Sequence, residues 1–422
     1  MDLVLKYTFL ILMFLIFVVS LYRTKNIFSP SSFYCLFWFL ITFVSLTIVP
    51  VELKISGVFY LLLNITSFSL SIFFFKFPRK TFNKRCLLDV YRLRHLSIIS
   101  IILSFFITIW HFELQGVTIS MFFEEYHKTV GLLLEKRYYD DVSKNFFTSF
   151  MYPIIYISVA ISANYCAIAN KKFINTTMLM AFLSPLLLVL LQSSKGALLL
   201  GFFIYLGSYV FSFNNRHLTF KNFLNLKNLI ISFFLICTIL ISFYSRGLSN
   251  YSNDYVIWKL SSYLYSYSIA QVFAFSDWFS FYLGLDHSNN YKSLNSYFGT
   301  YTFVLFQNFI NTGIVIPDEL YTDYPTWGNF LKTNIFTMYR GLIIDFGLIG
   351  SLLFIFILGF IFNLSYFIFS KSSKSVVSFS ILIFFYVFCY QSYIASPFNY
   401  LSIYAFFFFC LVYRSYTQYI KL

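Results

Sequence analysis

GLIIDFGLIGSLLFIFILGFIFNLSYFIF, residues 341–369, holds one acid, Asp345, and no cation. A helix rises 1.5 Å per residue, so about 20 apolar residues cross a hydrocarbon layer about 30 Å thick, and this run exceeds that. Comparable runs recur along the chain. Candidate spans cover residues 2–22, 31–49, 56–75, 95–110, 146–169, 176–191, 196–213, 228–243, 341–369, 376–392 and 398–413. Hydrophobic residues make up 59% of the 422 residues and charged residues only 11%, too little polar surface to cover a water-facing domain of this size. The expected fold is an all-α polytopic integral membrane protein with about eleven transmembrane helices.

The net charge of +14 reports on where cations sit relative to the spans, and names no nucleic-acid partner. The connector after the third span carries Lys76, Arg79, Lys80, Lys84, Arg85, Arg92 and Arg94, which marks it as cytoplasmic. Alternation then collects 18 of the 30 Lys and Arg on that side and 15 of the 16 Asp and Glu on the other, Asp89 being the exception. The N-terminus is expected outside and the C-terminus inside. The expected layout is spans one to eight in residues 1–243, with an outer segment at 111–145, then a large outer loop at 244–340 and three spans in 341–422. The six cysteines show no CxxC or Cys/His spacing, so no metal site and no cofactor is expected.

Three outward positions carry lone cations. Lys195 sits in the turn Gln192-Ser193-Ser194-Lys195-Gly196, and Arg246 in Tyr244-Ser245-Arg246-Gly247, where the eighth span emerges. Arg340 stands in the sequence TNIFTMYRGLIIDFGLIG, residues 333–350. If that segment is helical, Asn334, Thr337, Arg340 and Asp345 share an arc of about 140°. Asp345 at the head of an apolar helix is costly unless it faces water or a cation, with Arg340 and Arg246 as the candidate partners. Cations at three helix ends suit a lipid pyrophosphate whose charge is met by protein and not by metal. Asp254, Asp277, Asp286, His287, Asp318, Glu319 and Asp323 lie between them, each able to take a proton from a sugar hydroxyl. Tyr251, Tyr255, Trp258, Tyr263, Trp278 and Trp327 offer stacking surfaces for sugar rings or an interfacial belt.

At these residues the chain resembles the Wzy-type oligosaccharide repeat-unit polymerases, the O-antigen and capsule polymerases. Asn334, Thr337, Arg340, Asp345, Gly347 and Gly350 are similar to that family's Asn-x-x-Thr-x-x-Arg followed by Asp-Phe-Gly and a further Gly. Lys195 stands where the family more often has arginine. The resemblance implies a metal-independent inner-membrane glycosyltransferase that joins undecaprenyl-pyrophosphate-linked units on the periplasmic face. It implies lipid-linked donor and acceptor and bilayer lipid as partners, and leaves room for a chain-length regulator. Arg246, Arg340, His287 and Asp345 become the expected catalytic set, and Lys195, Asn334, Thr337, Tyr339 and Asp323 the substrate-binding set. An O-antigen ligase differs in its acceptor alone. A lipid-linked oligosaccharide flippase is expected to show short outer loops and more intramembrane charge. A sugar O-acetyltransferase is disfavoured because the basic cytoplasmic loop holds only His95 and Asp89 beside its cations.

Overall fold

A computed structural model describes residues 3–48, 53–78, 90–124, 126–138, 146–212, 236–244, 248, 251–285, 291, 299–303, 321, 323–327, 331–372 and 374–419. Among them, seven helices are long and apolar enough to cross a bilayer: Val4–Thr24, Pro30–Thr47, Ile55–Phe74, Val90–Leu114, Met151–Ile168, Lys195–Ser212 and Met338–Lys371. Leu183–Gln192, Val376–Ser392 and Leu401–Thr417 are shorter apolar helices. Their outward faces are greasy: Ile11, Leu15, Ile99, Phe106, Ile349 and Leu353 are all exposed. Such a surface is stable only against lipid, and helices are the form that satisfies backbone polar groups there. The chain is an all-α membrane protein.

Two expectations change in detail. The sixth candidate span is two helices, Thr176–Ala181 and Leu183–Gln192, meeting at Phe182. Pro185, in the first turn of the second, has no N–H to bond back to the Ala181 carbonyl, so the ladder is interrupted there. Segment 244–340, expected to be a loop, is more than that. It holds the helices Asn253–Ser268 and Ala270–Tyr282 and a two-residue antiparallel pairing of Thr326–Trp327 with Leu331–Lys332. Segment 111–145 holds the helices Ile119–Glu124 and Tyr126–Tyr138.

The chain divides into two compact units. The first comprises Met1–Lys80, Ser261–Ser372 and Phe388–Tyr400. Its core stacks Tyr34 on Phe68 at 4.1 Å between ring centres, with Phe388 beyond. Asn363, on the long late helix, donates to Ser31 Oγ at 2.7 Å and Ser71 Oγ at 2.8 Å, so one buried amide ties three helices where no water is available. Ala270–Tyr282 is pressed against Ile55–Leu70 at Gly57, where a Cβ would come 2.3 Å from the Ser276 Cα. Beside that contact Ser276 Oγ accepts the Lys54 N–H at 2.8 Å and donates to the Lys54 carbonyl at 3.1 Å. This seat fixes Asp277 and Trp278, the next two residues. The late helix Met338–Lys371 is interrupted at Gly347 (φ 69°, ψ −179°), a conformation that glycine alone adopts readily. Tyr60 donates to the Leu348 carbonyl just past the break, at 2.8 Å.

The second unit comprises Thr81–Leu260, Ser373–Val387 and Leu401–Leu422. Its helices are stitched by small polar side chains. Ser97 meets Ser162 at 3.0 Å, Ser208 donates to the Ala160 carbonyl at 2.7 Å, and Asn164 donates to the Tyr413 hydroxyl at 2.7 Å. Close helix packing through small residues joined by hydrogen bonds is what holds helices together in lipid, where burial of apolar surface contributes little.

Candidate functional site

The first unit holds a buried arginine in an aromatic enclosure. Arg340 lies in the first turn of Met338–Lys371 and is 0% exposed. Its guanidinium sits 4.0 Å from the Phe336 ring centre, 4.2 Å from Tyr321, 5.2 Å from Trp278 and 5.7 Å from Tyr291. Rings around a desolvated cation contribute about 2 kcal/mol where the geometry is good, far less than its hydration is worth. A charge partner is therefore required, and Asp323 supplies it: Arg340 Nη2 donates to Asp323 Oδ2 at 2.7 Å. Of the five guanidinium donors, the one on Nε and both on Nη1 meet no hydrogen-bond partner. Each such buried donor costs about 1–3 kcal/mol. A group with several acceptor oxygens, such as a phosphate, is the ligand that would relieve them.

Around this cation the chain assembles groups from four places. Helix Ala270–Tyr282 brings Trp278 and Asp277. Tyr291 donates its hydroxyl to Asp277 Oδ2 at 2.6 Å. Tyr321 stacks parallel on Tyr301 with 5.6 Å between centres. Phe336 comes from the segment just ahead of the late helix. Burial, then the Asp277 hydrogen bond and charge, hold the Tyr291 hydroxyl well above the usual phenol range, with Arg340 opposing. Burial likewise pushes Tyr321 up, again against the pull of Arg340. Both phenols stay protonated and able to donate.

Asp345 is buried and stands apart from Arg340's pairing. Its carboxylate accepts the Tyr301 N–H at 3.1 Å and the Thr302 N–H at 2.6 Å. The expectation that Arg340 neutralises it is corrected: backbone donors from residues 301 and 302 bond the carboxylate, Arg340 is bridged to Asp323, and the alternative partner Arg246 lies outside the described residues. By holding that backbone, Asp345 fixes Tyr301, and through the stacked pair it steadies Tyr321 over Arg340. The expected single helical face is corrected as well, because the helix begins at Met338. Thr337 is the residue before it (φ −56°, ψ 160°) and Asn334 lies further upstream. Asn334 donates to the Tyr324 hydroxyl at 2.8 Å near the surface, while Thr337 is buried with its Oγ1 lacking a partner. Tyr339 belongs to the core: its hydroxyl pairs with that of Tyr34 and its ring lies against Trp38 and Phe275. Arg246 and His287, with Asp286, Asp318 and Glu319, fall outside the described residues.

Lys195 lies in the second unit at the start of helix Lys195–Ser212, buried, with its ammonium 3.7 Å from the Phe243 ring centre. The turn before it uses Ser193 in the left-handed region (φ 52°). Gln192 and Gln115 each present an amide nitrogen 2.8 Å from His111 Nε2. Ser193 donates to the Ser242 carbonyl at 3.3 Å. The ends of Val90–Leu114 and Leu183–Gln192, the head of Lys195–Ser212 and residues 242–243 thus meet at one end of this unit.

Sequence reasoning singled out Arg340, Asp323 and Asp345, and named Asp277 and Trp278 only among wider sets. Tyr291, Tyr301, Tyr321 and Phe336 carried no signal beyond a high aromatic content. Comparison of the chain with models of known families, with curated proteins and with solved structures finds no match.

Proposed function

We propose that this chain is a membrane glycosyltransferase that joins lipid-pyrophosphate-linked oligosaccharide units into a polysaccharide, with Arg340 holding the departing pyrophosphate. The observation that carries the reading is the enclosed guanidinium with one carboxylate and three uncommitted donors. Placed in a low-dielectric enclosure, such a cation stabilises negative charge that develops as the sugar leaves its lipid anchor, the kind of preorganised electrostatics that accounts for much of catalysis. Aromatic rings around it suit sugar faces, and the greasy helices keep the enzyme with a substrate that is itself anchored in the bilayer.

In this reading the chain crosses the inner membrane about eleven times, with N-terminus and both long segments on the periplasmic face and C-terminus in the cytoplasm. The meeting of His111, Gln192, Lys195 and Phe243 at one end of the second unit agrees with the alternation of spans, which assigns all four to one side. The resemblance to Wzy-type polymerases motivates the polymer product.

The test is the glycan ladder of cells lacking this gene, complemented with wild type, Arg340→Ala and Arg340→Lys. Wild type restores the ladder, Arg340→Ala does not, and Arg340→Lys restores it in part, because a point charge only partly replaces a planar fork. Equal ladders from all three would remove Arg340 from the chemistry. Single-unit glycan that never reaches its final acceptor in the deletion would indicate a ligase. Loss of all exported lipid-linked glycan would indicate a flippase.

A further inference from the structure

Among the described residues, the first unit's enclosure brings the Arg340 cation near two carboxylates, Asp323 and Asp277, that do different work. Asp323 is spent on Arg340. Asp277, 6% exposed on a helix buried from Ala270 to Ser280, instead takes the hydroxyl hydrogen of Tyr291, whose ring lies 5.7 Å from the same guanidinium. A buried carboxylate joined to a phenol beside an anion-binding cation is the arrangement of a proton relay, because the phenol oxygen can accept a proton while its own passes inward to the carboxylate. The unpartnered donors of Arg340 mark where the anionic part of a ligand would sit, and Tyr291 and Trp278 border that position.

We propose that Tyr291 and Asp277 form the proton acceptor of this site, Tyr291 touching the attacking sugar hydroxyl and Asp277 receiving the proton through it; this rests on the glycosyl-transfer reading above. In the step, the acceptor hydroxyl oxygen forms a bond to the anomeric carbon of the donor sugar while that carbon's bond to the pyrophosphate oxygen breaks. The bonding pair leaves with the pyrophosphate, held by Arg340. The hydroxyl proton passes to the Tyr291 oxygen as the Tyr291 proton passes to Asp277 Oδ2, leaving a neutral acid that later loses its proton to water. Asp277 is a positioning and proton-storing residue, and Tyr291 is the catalytic residue.

The experiment uses the full-length protein in lipid nanodiscs with undecaprenyl-pyrophosphate-linked units extracted from cells lacking this gene. It follows release of undecaprenyl pyrophosphate and growth of polymer, with and without sodium azide. Azide attacks the anomeric carbon without a proton to lose, so it bypasses a missing base and leaves a glycosyl azide. Asp277→Asn is expected to bind donor as wild type does and to lose about 100-fold or more in release with the sugar acceptor, the low end of a general base's contribution. Azide is expected to restore release for Asp277→Asn, with glycosyl azide as the product, and to leave Arg340→Ala inactive. Tyr291→Phe tests the same relay in a variant that keeps the aromatic enclosure, and is expected to follow Asp277→Asn in both loss and rescue. Polymer from wild type with Asp277→Asn and Tyr291→Phe within about threefold of it would overturn this inference and leave the glycosyl-transfer reading standing. Loss in both variants without azide rescue would assign the pair a structural role and overturn it too. No transfer by wild type would overturn the reading and the inference together.

Discussion

Replacing Asp323 by alanine leaves Arg340 as a fully enclosed cation without its counter-charge. The two atoms are 2.7 Å apart, and their side chains are 6% and 0% exposed, so solvent screening is slight. At an effective dielectric of 20 the attraction alone is about 6 kcal/mol. Part of that offsets the cost of bringing both groups out of water, and removing one partner of such a pair typically costs about 3–5 kcal/mol. At 1.4 kcal/mol per tenfold, the folded-to-unfolded ratio falls by two to four decades. Asp323→Asn keeps an acceptor oxygen and falls between. Replacing both residues, by Met at 340 and Leu at 323, removes the stranded charge and is expected to recover most of the loss. Equilibrium unfolding in mixed micelles with rising SDS, followed by labelling of the buried thiols of Cys35 and Cys389, measures all four proteins. A single Asp323→Ala variant within about 1 kcal/mol of wild type, or a double variant no more stable than Asp323→Ala, would refute a buried, charged pair.

Gly57→Ala drives a Cβ to 2.3 Å from the Ser276 backbone; the expected cost is at least about 1–3 kcal/mol, with donor binding weakened because Asp277 and Trp278 follow that seat, and thermal unfolding with a binding isotherm checks both. Gly347→Ala meets nothing within 4 Å, so its cost is conformational alone, about 1–3 kcal/mol from the positive φ, and a crystal or cryo-electron structure of the variant should show the break shifted or straightened. Asp345→Asn turns an amide nitrogen toward the Tyr301 or Thr302 N–H, or leaves one oxygen to serve both. Hydrogen exchange at residues 301–302 should speed up by about tenfold or more, and an unchanged rate would contradict the role given to the carboxylate.

Hydropathy made most of the helices readable because the bilayer imposes a simple length rule. Val376–Ser392 falls on its expected residues, and the long late helix extends its expected span by a few residues at each end. The rule fails where structure answers to neighbours. Ala270–Tyr282 is too short and too rich in Ser, Gln and Asp to register as a span, yet it is buried because Gly57 lets it approach. Residues 334–337 look helical by spacing, but the chain there turns into the site and begins its helix only at Met338, leaving Asn334 beside Tyr324. Arg340 and Asp345 were legible as charges at the head of an apolar helix, and Asp323 as one acid of a polar segment. The partners of Asp345 were not, because they are backbone amides, which every residue but proline offers and no side-chain pattern reveals.

The amide of Asn363 and the break at Gly347 divide the labour of the long late helix. Below, one side chain fastened to Ser31 and Ser71 acts as a rivet through three helices, so that half can neither slide nor roll without tearing a hydrogen bond in a medium that offers no substitute. Above, a single residue without a side chain separates the riveted shaft from the short head that carries Arg340 and Asp345. The dihedrals of that one joint set where the head points, and so place the cation and the backbone held by Asp345 together.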